Sequence, residues 1–311
     1  MGKIQAICIS PVRGVQKQAV PSVELTPEWG IVGDAHGGNW HRQVSLLSFD
    51  KIQAFKERGA EIDFGAFGEN LVVSGFDFRA LPVGTLLRCG EVLLEMTQIG
   101  KECHTHCEIY KVMGDCIMPR EGVFARVLEG GTIRTGDEMV LEQRQTPRPF
   151  QAAVITLSDK GAKGEREDLS GPAIQKRLEQ EGYDVVETLL LADEATALKR
   201  HLIRLADQRQ LDLILTTGGT GFSPRDITPE ATLAVATRQA PGIAEAIRAA
   251  SMQITPRAML SRGVSVIRGK TLIINLPGSP KAVQESMDVF LSTIGHGLAV
   301  MRQQESECAR T

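Results

Sequence analysis

"LDLILTTGGTGFSPRDITPEATLAVATRQ", residues 211–239, decides the fold of the second half of this chain. An apolar run of strand type, 211–217, stops at a glycine turn. Residues 228–239 then read as a helix with Thr228 as its cap and Pro229 at the first helical position. The same alternation surrounds this stretch. "QAAVITLSD" (151–159) is a buried-type strand, and "SGPAIQKRLEQEG" (170–182) is a helix between Ser170 as cap and Gly182 as stop. "DVVETLLLAD" (184–193) is a second strand and "EATALKRHLIRLADQ" (194–208) a helix. "KTLIINLPGSPKAVQESMDVFLSTI" (270–294) adds a strand, a turn and a long helix opened by Ser279 and Pro280. Such alternation builds an α/β domain on a mostly parallel, doubly wound sheet, whose ligands bind beyond the carboxyl ends of the strands. "TTGGTG" stands at such an end.

The first half reads differently. Its apolar segments are short and bounded by glycine: "KIQAICIS", "QVSLLS", "NLVVSG", "GTLLRCG" and "EVLLEMTQIG". That is strand-rich composition and predicts a mostly β, barrel-like domain. One helix interrupts it, "SFDKIQAFKERG" (48–59), with Ser48 as cap and Gly59 as stop. "RQTPRPF" (144–150) has linker composition, so the expected domains are 1–143 and 151–304. A length of 311 residues suits two domains.

Composition excludes some functions. The net charge is −3, which gives no basic excess for nucleic acid. No apolar run is long enough to span a membrane, and the start lacks a signal-peptide pattern, so a cytoplasmic protein is expected. The six cysteines do not form a disulfide framework.

The glycine turn has a chemistry. Gly218, Gly219 and Gly221 let backbone N–H groups approach an anion, and Thr217 and Thr220 add hydroxyl donors. A plain strand-to-helix turn explains the same residues. The loop lacks the third glycine of a dinucleotide fingerprint, and "GVSVIRGKT" (263–271) has the wrong spacing for a P-loop and reads as strand, turn, strand. Asp159, Asp193 and Asp226 follow three consecutive strands and would meet on one rim. Carboxylates beside a phosphate need a cation between them, a role for Mg²⁺. Turn-forming and helix-capping roles are the alternative for each Asp. In "NLPGSPK" (275–281) the helix start after Gly278 and Ser279 offers free N–H groups, and Lys281 adds a charge. A Ser-Pro cap explains that start equally well.

"SDKG", "LLADE", "TTGGTGFSPRDITPEA", "PGIAEAIR", "AMLSRGV" and "INLPGSPKA" occur in this order across residues 152–302. Together they resemble the molybdopterin adenylyltransferase family of molybdenum cofactor biosynthesis. The resemblance implies a three-layer α/β domain, a homo-oligomer of trimer type, and molybdopterin on the glycine loop activated by Mg-ATP. It places the family's essential, Mg-positioning aspartates on Asp193 and Asp226. It places the pterin-phosphate loop on Thr217, Gly218, Gly219, Thr220 and Gly221. It assigns Ser158 and Asp159 to the first-strand motif and Gly278, Ser279 and Lys281 to the proline-glycine turn.

In the first half, "WGIVGDAHGGNWHRQVSLLS" (29–48), "GAFGENLVVSG" (65–75) and "GKECHTHCEIY" (100–110) stand out. Cys103, His104, His106 and Cys107 could ligate zinc. However, zinc ligands usually come from two segments, and here one segment holds the cluster, with Cys116 the nearest further thiol. A thiolate supported by Lys101 and the histidines, or a plain buried cysteine, are the other readings. The three stretches in order resemble the MOSC family, named after the C-terminal domain of molybdenum cofactor sulfurases. That resemblance implies a strand-rich domain that binds molybdenum cofactor through a cysteine able to carry sulfur or ligate metal. Cys107 best matches the cysteine position, with Cys103 as an extra neighbour, and Arg42 and Lys101 are placed to meet the cofactor's phosphate. Cofactor sulfurases carry a pyridoxal-phosphate desulfurase domain upstream. These residues contain none, so sulfur transfer would need a partner, another cofactor-biosynthesis protein or a molybdoenzyme. The two resemblances imply one cofactor pathway, with adenylylation by the second domain and cofactor binding or modification by the first. A carrier without turnover is the rival, and a scaffold for the cofactor machinery a third reading.

Overall fold

The computed structural model describes residues 1–102 and 108–303. The chain forms two compact units that meet in sequence at Pro147 and Arg148.

The first unit is built from strands β1 (Gly2–Ile9), β2 (Gln18–Val20), β3 (Ser22–Thr26), β4 (Gly30–Ile31), β5 (Val44–Ser48), β6 (Leu71–Ser74), β7 (Leu86–Cys89), β8 (Val92–Ile99), β9 (Val123–Glu129), β10 (Gly131–Arg134) and β11 (Glu138–Glu142). Helices α1 (Phe49–Glu57), α2 (Glu108–Met113) and α3 (Met118–Glu121) are inserted among them. Neighbours run in the order β11-β7-β8-β9-β5-β6-β1, and β1 returns to β11, so seven strands close a barrel. Closure removes the edges that would otherwise present unpaired N–H and C=O groups. The period-2 pattern divides the apolar residues between two cores. Val44, Leu46, Leu71, Val73, Val123 and Ala125 fill the barrel. Their alternates Leu47, Val72 and Phe124 face outward and are covered by Ile52 and Phe55 of α1.

Gly59 takes the left-handed conformation just past α1. Ser48 precedes α1, but its side chain makes no capping bond there. Cys116, the nearest thiol to the cysteine cluster, is buried with Ile117 and Met118 in the outer core.

The motifs "GDAH" and "GENL" build a buried polar brace. Asp34 Oδ2 accepts hydrogen bonds from Lys17 Nζ (2.7 Å), Ser10 N (3.1 Å) and Asn70 Nδ2 (3.1 Å). Asp34 Oδ1 accepts from His36 N (2.9 Å). Glu69 accepts from Gly65 N (2.7 Å) and Phe67 N (3.0 Å). Burial alone would raise the Asp34 pKa, yet the bonds from His36 and Lys17 outweigh it and hold the carboxyl below its ordinary range. Burial pushes Glu69 up and Lys17 down. Three separate chain segments are thus pinned to one carboxylate.

The second unit holds β12 (Gln151–Leu157), β13 (Asp184–Leu191), β14 (Leu213–Thr217), β15 (Arg238–Gln239), β16 (Ser265–Arg268) and β17 (Thr271–Leu276). Its helices are α4 (Asp159–Ala162), α5 (Ser170–Gln180), α6 (Ala195–Ile203), α7 (Thr228–Val235), α8 (Pro241–Ile254) and α9 (Pro280–Met301). The sheet order is β13-β12-β14-β17-β16-β15. The first four strands are parallel and the last two pair antiparallel, so the sheet is mixed. Val154, Leu215 and Ile274 pack on one face against Ile174, Ile247, Val283 and Met287 from α5, α8 and α9. Ile155, Ile214 and Ile273 pack on the other face against Leu198, Leu202 and Ala231 from α6 and α7. These are the three layers. The chain leaves β12 toward β13 and returns across to β14, so β12 and β14 flank a topological switch point. No helix among the described residues is long and apolar enough to cross a membrane.

The buried Lys17–Asp34 pair, with side chains 2% and 1% exposed, generates a prediction. Lys17→Met leaves Asp34 buried without its countercharge and is expected to destabilise the barrel by about 3–5 kcal/mol. Both tryptophans, Trp29 and Trp40, lie in this unit. Tryptophan fluorescence during urea unfolding therefore reads it alone, and a loss under ~1 kcal/mol would contradict the brace.

Candidate functional site

Four parallel strands deliver their following residues to one rim of the second unit. Gly218 and Gly219 follow β14 and take left-handed conformations, φ +93° and +64°. A β-carbon at Gly218 would stand 2.3 Å from Leu157 O at the end of β12, so only glycine allows this approach. Gly278, after β17, lies against Gly218: a β-carbon built on Gly278 would be 3.4 Å from Gly218 Cα. Thr228 opens α7 and ties it to the loop. Its N–H donates to Gly219 O (3.1 Å) and its hydroxyl to Gly218 O (2.9 Å). Thr228 therefore anchors the loop and does not act as the expected cap.

Asp159 and Asp193 sit side by side at the ends of β12 and β13. Asp159 N donates to Asp193 Oδ2 (3.0 Å), and Asp193 N donates to Asp159 Oδ1 (3.1 Å). Asp193 Oδ1 lies 3.1 Å from where a Gly219 β-carbon would stand; it is buried and makes no hydrogen bond. Burial, then the Asp159 and Asp226 carboxylates, push the Asp193 pKa above its ordinary value. Asp226 Oδ2 accepts from Ser223 N (2.9 Å) and comes within 2.9 Å of a β-carbon placed at Gly221. The rim therefore brings Asp159, Asp193, Asp226, Gly218, Gly219, Gly221 and Gly278 together.

Other expected site residues have structural duties. Thr217 is fully buried and its hydroxyl donates to Pro277 O (2.6 Å), which ties the two loops to each other. Ser158 caps α4 by accepting from Gly161 N (3.0 Å), and Ser279 caps α9 by accepting from Ala282 N (3.2 Å). Thr220 is buried, and its carbonyl accepts from Arg262 N (3.0 Å). Lys281 is 84% exposed and lies 3.7 Å from Glu285 on the next turn of α9.

Two arginines hold this rim and were given no role from sequence. Arg225 forks onto Asp159, Nε to Oδ2 (2.9 Å) and Nη2 to Oδ1 (2.7 Å). That fork holds the Asp159 carboxyl below its ordinary pKa. Arg262 grips the loop before α7 at both ends, Nε to Gly221 O (2.6 Å) and Nη2 to Asp226 O (2.6 Å), and pairs with Glu230. An open depression of about 490 Å³ beside it is lined by Phe222, Ser223, Pro224, Asp226, Glu230 and Arg262. The partners lie 66 and 36 residues away in sequence, so no local spacing reveals them. Asp168 is a third residue given no role from sequence, although its partners are only two and three residues away. It accepts from Ser170 N and Gly171 N and caps α5 in place of Ser170, whose hydroxyl donates instead to Gly278 O (2.9 Å).

In the first unit, Arg42 lies over the faces of Trp40 (4.8 Å) and Phe124 (5.5 Å). Lys101 is half-buried, with its N–H on Pro119 O (3.3 Å). Cys103 and Cys107 lie outside the described residues, as do His104 and His106. Cys8 and Cys89 are buried in the cores, and burial raises their pKa to about 12 and about 11. They have no thiolate character. Among the described residues, no group of three or more His, Cys, Asp or Glu side chains is placed to hold a metal ion by itself. Asp193 and Asp226 fit a cation that brings other ligands with it, because Asp193 Oδ1 is buried, unpaired and repelled by two further carboxylates.

That repulsion can be read as stability. A carboxyl whose folded pKa is raised costs stability above that pKa and costs none below the unfolded value of about 3.9. Asp193→Asn, in protein freed of divalent cations, is therefore expected to melt above wild type at pH 7. The gain should disappear as pH falls below about 4. Circular dichroism on heating reads this, and a lower melting temperature at pH 7 would contradict it.

Residues 153–296 match the family model described as a probable molybdopterin binding domain, and residues 33–140 match the MOSC domain. Over 143 residues the chain is 44% identical to the molybdopterin adenylyltransferase of Helicobacter pylori strain ATCC 700392 / 26695, covering 45% of this chain and 81% of that protein. It is 42% identical over 141 residues to the molybdopterin adenylyltransferase of Escherichia coli K12, covering 45% of this chain and 72% of that protein. Among solved structures, the molybdopterin biosynthesis enzyme MoaB of Thermus thermophilus is 45% identical, covers 50% of this chain and 97% of its own, and superposes with a TM-score of 0.48. The chain thus belongs to the molybdopterin adenylyltransferase family through its second unit and carries a MOSC domain in its first.

Proposed function

We propose that the second unit adenylylates molybdopterin with Mg-ATP and that the MOSC unit binds or modifies molybdenum cofactor at a neighbouring step. The observation that carries this reading is the buried, unpaired Asp193 Oδ1 set against the Gly218–Gly219 turn at the switch point. A turn stripped of side chains suits an approaching phosphate. A carboxylate oxygen without a partner suits a cation that the substrate carries in. Relatives named molybdopterin adenylyltransferase support the identity of that substrate.

In the step, a terminal oxygen of the molybdopterin phosphate attacks the α-phosphorus of ATP. A P–O–P bond forms, the bond from the α-phosphorus to the bridging oxygen breaks, and pyrophosphate leaves with the electron pair. The nucleophile is already an anion, so no residue has to remove a proton. The chain's work is placement and charge. Backbone N–H groups of the glycine loop orient the pterin phosphate. Thr228 and Thr217 keep that loop in shape, and Arg262 holds the segment that presents Asp226. A divalent cation held by Asp193 and Asp226 would neutralise the triphosphate. For the MOSC unit, Arg42 and Lys101 are assigned to the cofactor phosphate, and Cys107, with Cys103 as alternative, to its sulfur or metal chemistry.

Asp226→Ala is expected to lower adenylylated-pterin formation by about 10²–10³-fold, with pterin affinity changed by less than ~3-fold. Mass spectrometry of the product and equilibrium pterin binding read the two quantities. Equal losses in both would contradict the assignment of Asp226 to the nucleotide.

A further inference from the structure

We propose that Arg225 is a positioning residue that sets Asp193 through Asp159, an inference that rests on the Mg-ATP reading above. The contacts form a chain. The guanidinium of Arg225 takes both oxygens of Asp159, at 2.9 and 2.7 Å. With its carboxylate fixed in that plane, Asp159 presents Oδ1 to the Asp193 amide at 3.1 Å. The Asp159 amide in turn holds Asp193 Oδ2 at 3.0 Å. One Asp193 oxygen is thereby fastened, and the other, Oδ1, is turned toward Gly219 without a partner.

Charge gives the same chain a second effect. Asp159, Asp193, Asp226 and Glu194 gather four negative charges here, and Arg225 touches two of them, Asp159 and Glu194 (3.5 Å). Arg225 satisfies Asp159, so Asp159 is withheld from an incoming cation and Asp193 is left to meet it. A bidentate fork does this better than a point charge, since it fixes the carboxylate plane as well as its distance. Arg225 immediately precedes Asp226 in sequence, so the same short segment supplies one carboxylate and sets the other.

A double-mutant cycle on Arg225 and Asp159 tests this. Arg225→Gln is expected to lower kcat by about 10–100-fold, with KM for ATP within ~3-fold of wild type. Arg225→Lys should recover part of the loss. In an Asp159→Asn background, Arg225→Gln should lower kcat by less than ~3-fold, because the fork has already lost its partner. Multiplying losses would overturn the proposal. So would a tenfold rise in KM for ATP at unchanged kcat, which would make Arg225 a phosphate ligand. Titration with Mn²⁺ alone, followed by electron paramagnetic resonance, reads the carboxylates without turnover. Asp193→Asn should weaken Mn²⁺ binding in the wild-type background and weaken it less in Arg225→Gln, where the released Asp159 shares the ion; an equal loss in both backgrounds would overturn the proposal. Wild-type protein that makes no adenylylated pterin would remove the Mg-ATP reading, and the Mn²⁺ comparison would still decide the role of Arg225.

Discussion

Two carboxylates are held within hydrogen-bond reach of each other's backbone at adjacent strand ends. This Asp159–Asp193 exchange is the constraint around which the second unit is arranged. Like charges so placed are unfavourable unless positive charge is near. The fold supplies part of it through Arg225 and leaves the remainder, at Asp193 Oδ1, unanswered. The neighbouring glycine turn admits nothing but backbone between Leu157 and Thr228. The rim therefore combines a carboxylate oxygen left without a partner with a turn so closely packed that only glycine fits it.

The first unit solves a related problem by internal means. Its buried carboxylate, Asp34, is answered by Lys17, Asn70, Ser10 and His36, and so reads as a finished structural brace. The contrast separates two uses of a buried acid. Asp34 has partners for both oxygens and pins chain segments together. Asp193 has a partner for one oxygen and none for the other. By this criterion "GDAH" and "GENL" serve the fold, and Arg42, over the faces of Trp40 and Phe124, lies apart from that brace's hydrogen bonds.

Much of the fold is legible in sequence where a local signal exists. Strand periods mark β1, β5, β6, β7 and β8 of the barrel and the parallel strands of the sheet, and glycine spacing marks the loop beyond β14. The turn from β16 into β17 is legible in "GVSVIRGKT" as strand, turn, strand, but β15 is not: its two residues lie in the stretch 228–239 that reads as helix, whereas α7 stops at Val235. Caps fail for a similar reason. A serine or threonine before a helix reads as its cap, but Ser170 and Thr228 point their hydroxyls at distant carbonyls, and Asp168 caps α5. The aspartates of the rim are found because each follows a strand. Arg225 and Arg262 go unassigned because their partners are brought to them only by the tertiary fold. The bond from the Thr217 hydroxyl to Pro277 O is equally hidden, since its partner lies 60 residues on.

Everything proposed for the second unit turns on which phosphorus atom is attacked. The most direct measurement incubates the purified chain with molybdopterin, Mg²⁺ and ATP carrying a radioactive α-phosphorus in one sample and a γ-phosphorus in another. Adenylylation predicts that the α label appears in the pterin product and the γ label in released pyrophosphate. Pterin that binds yet acquires neither label, or that acquires the γ label, would contradict it.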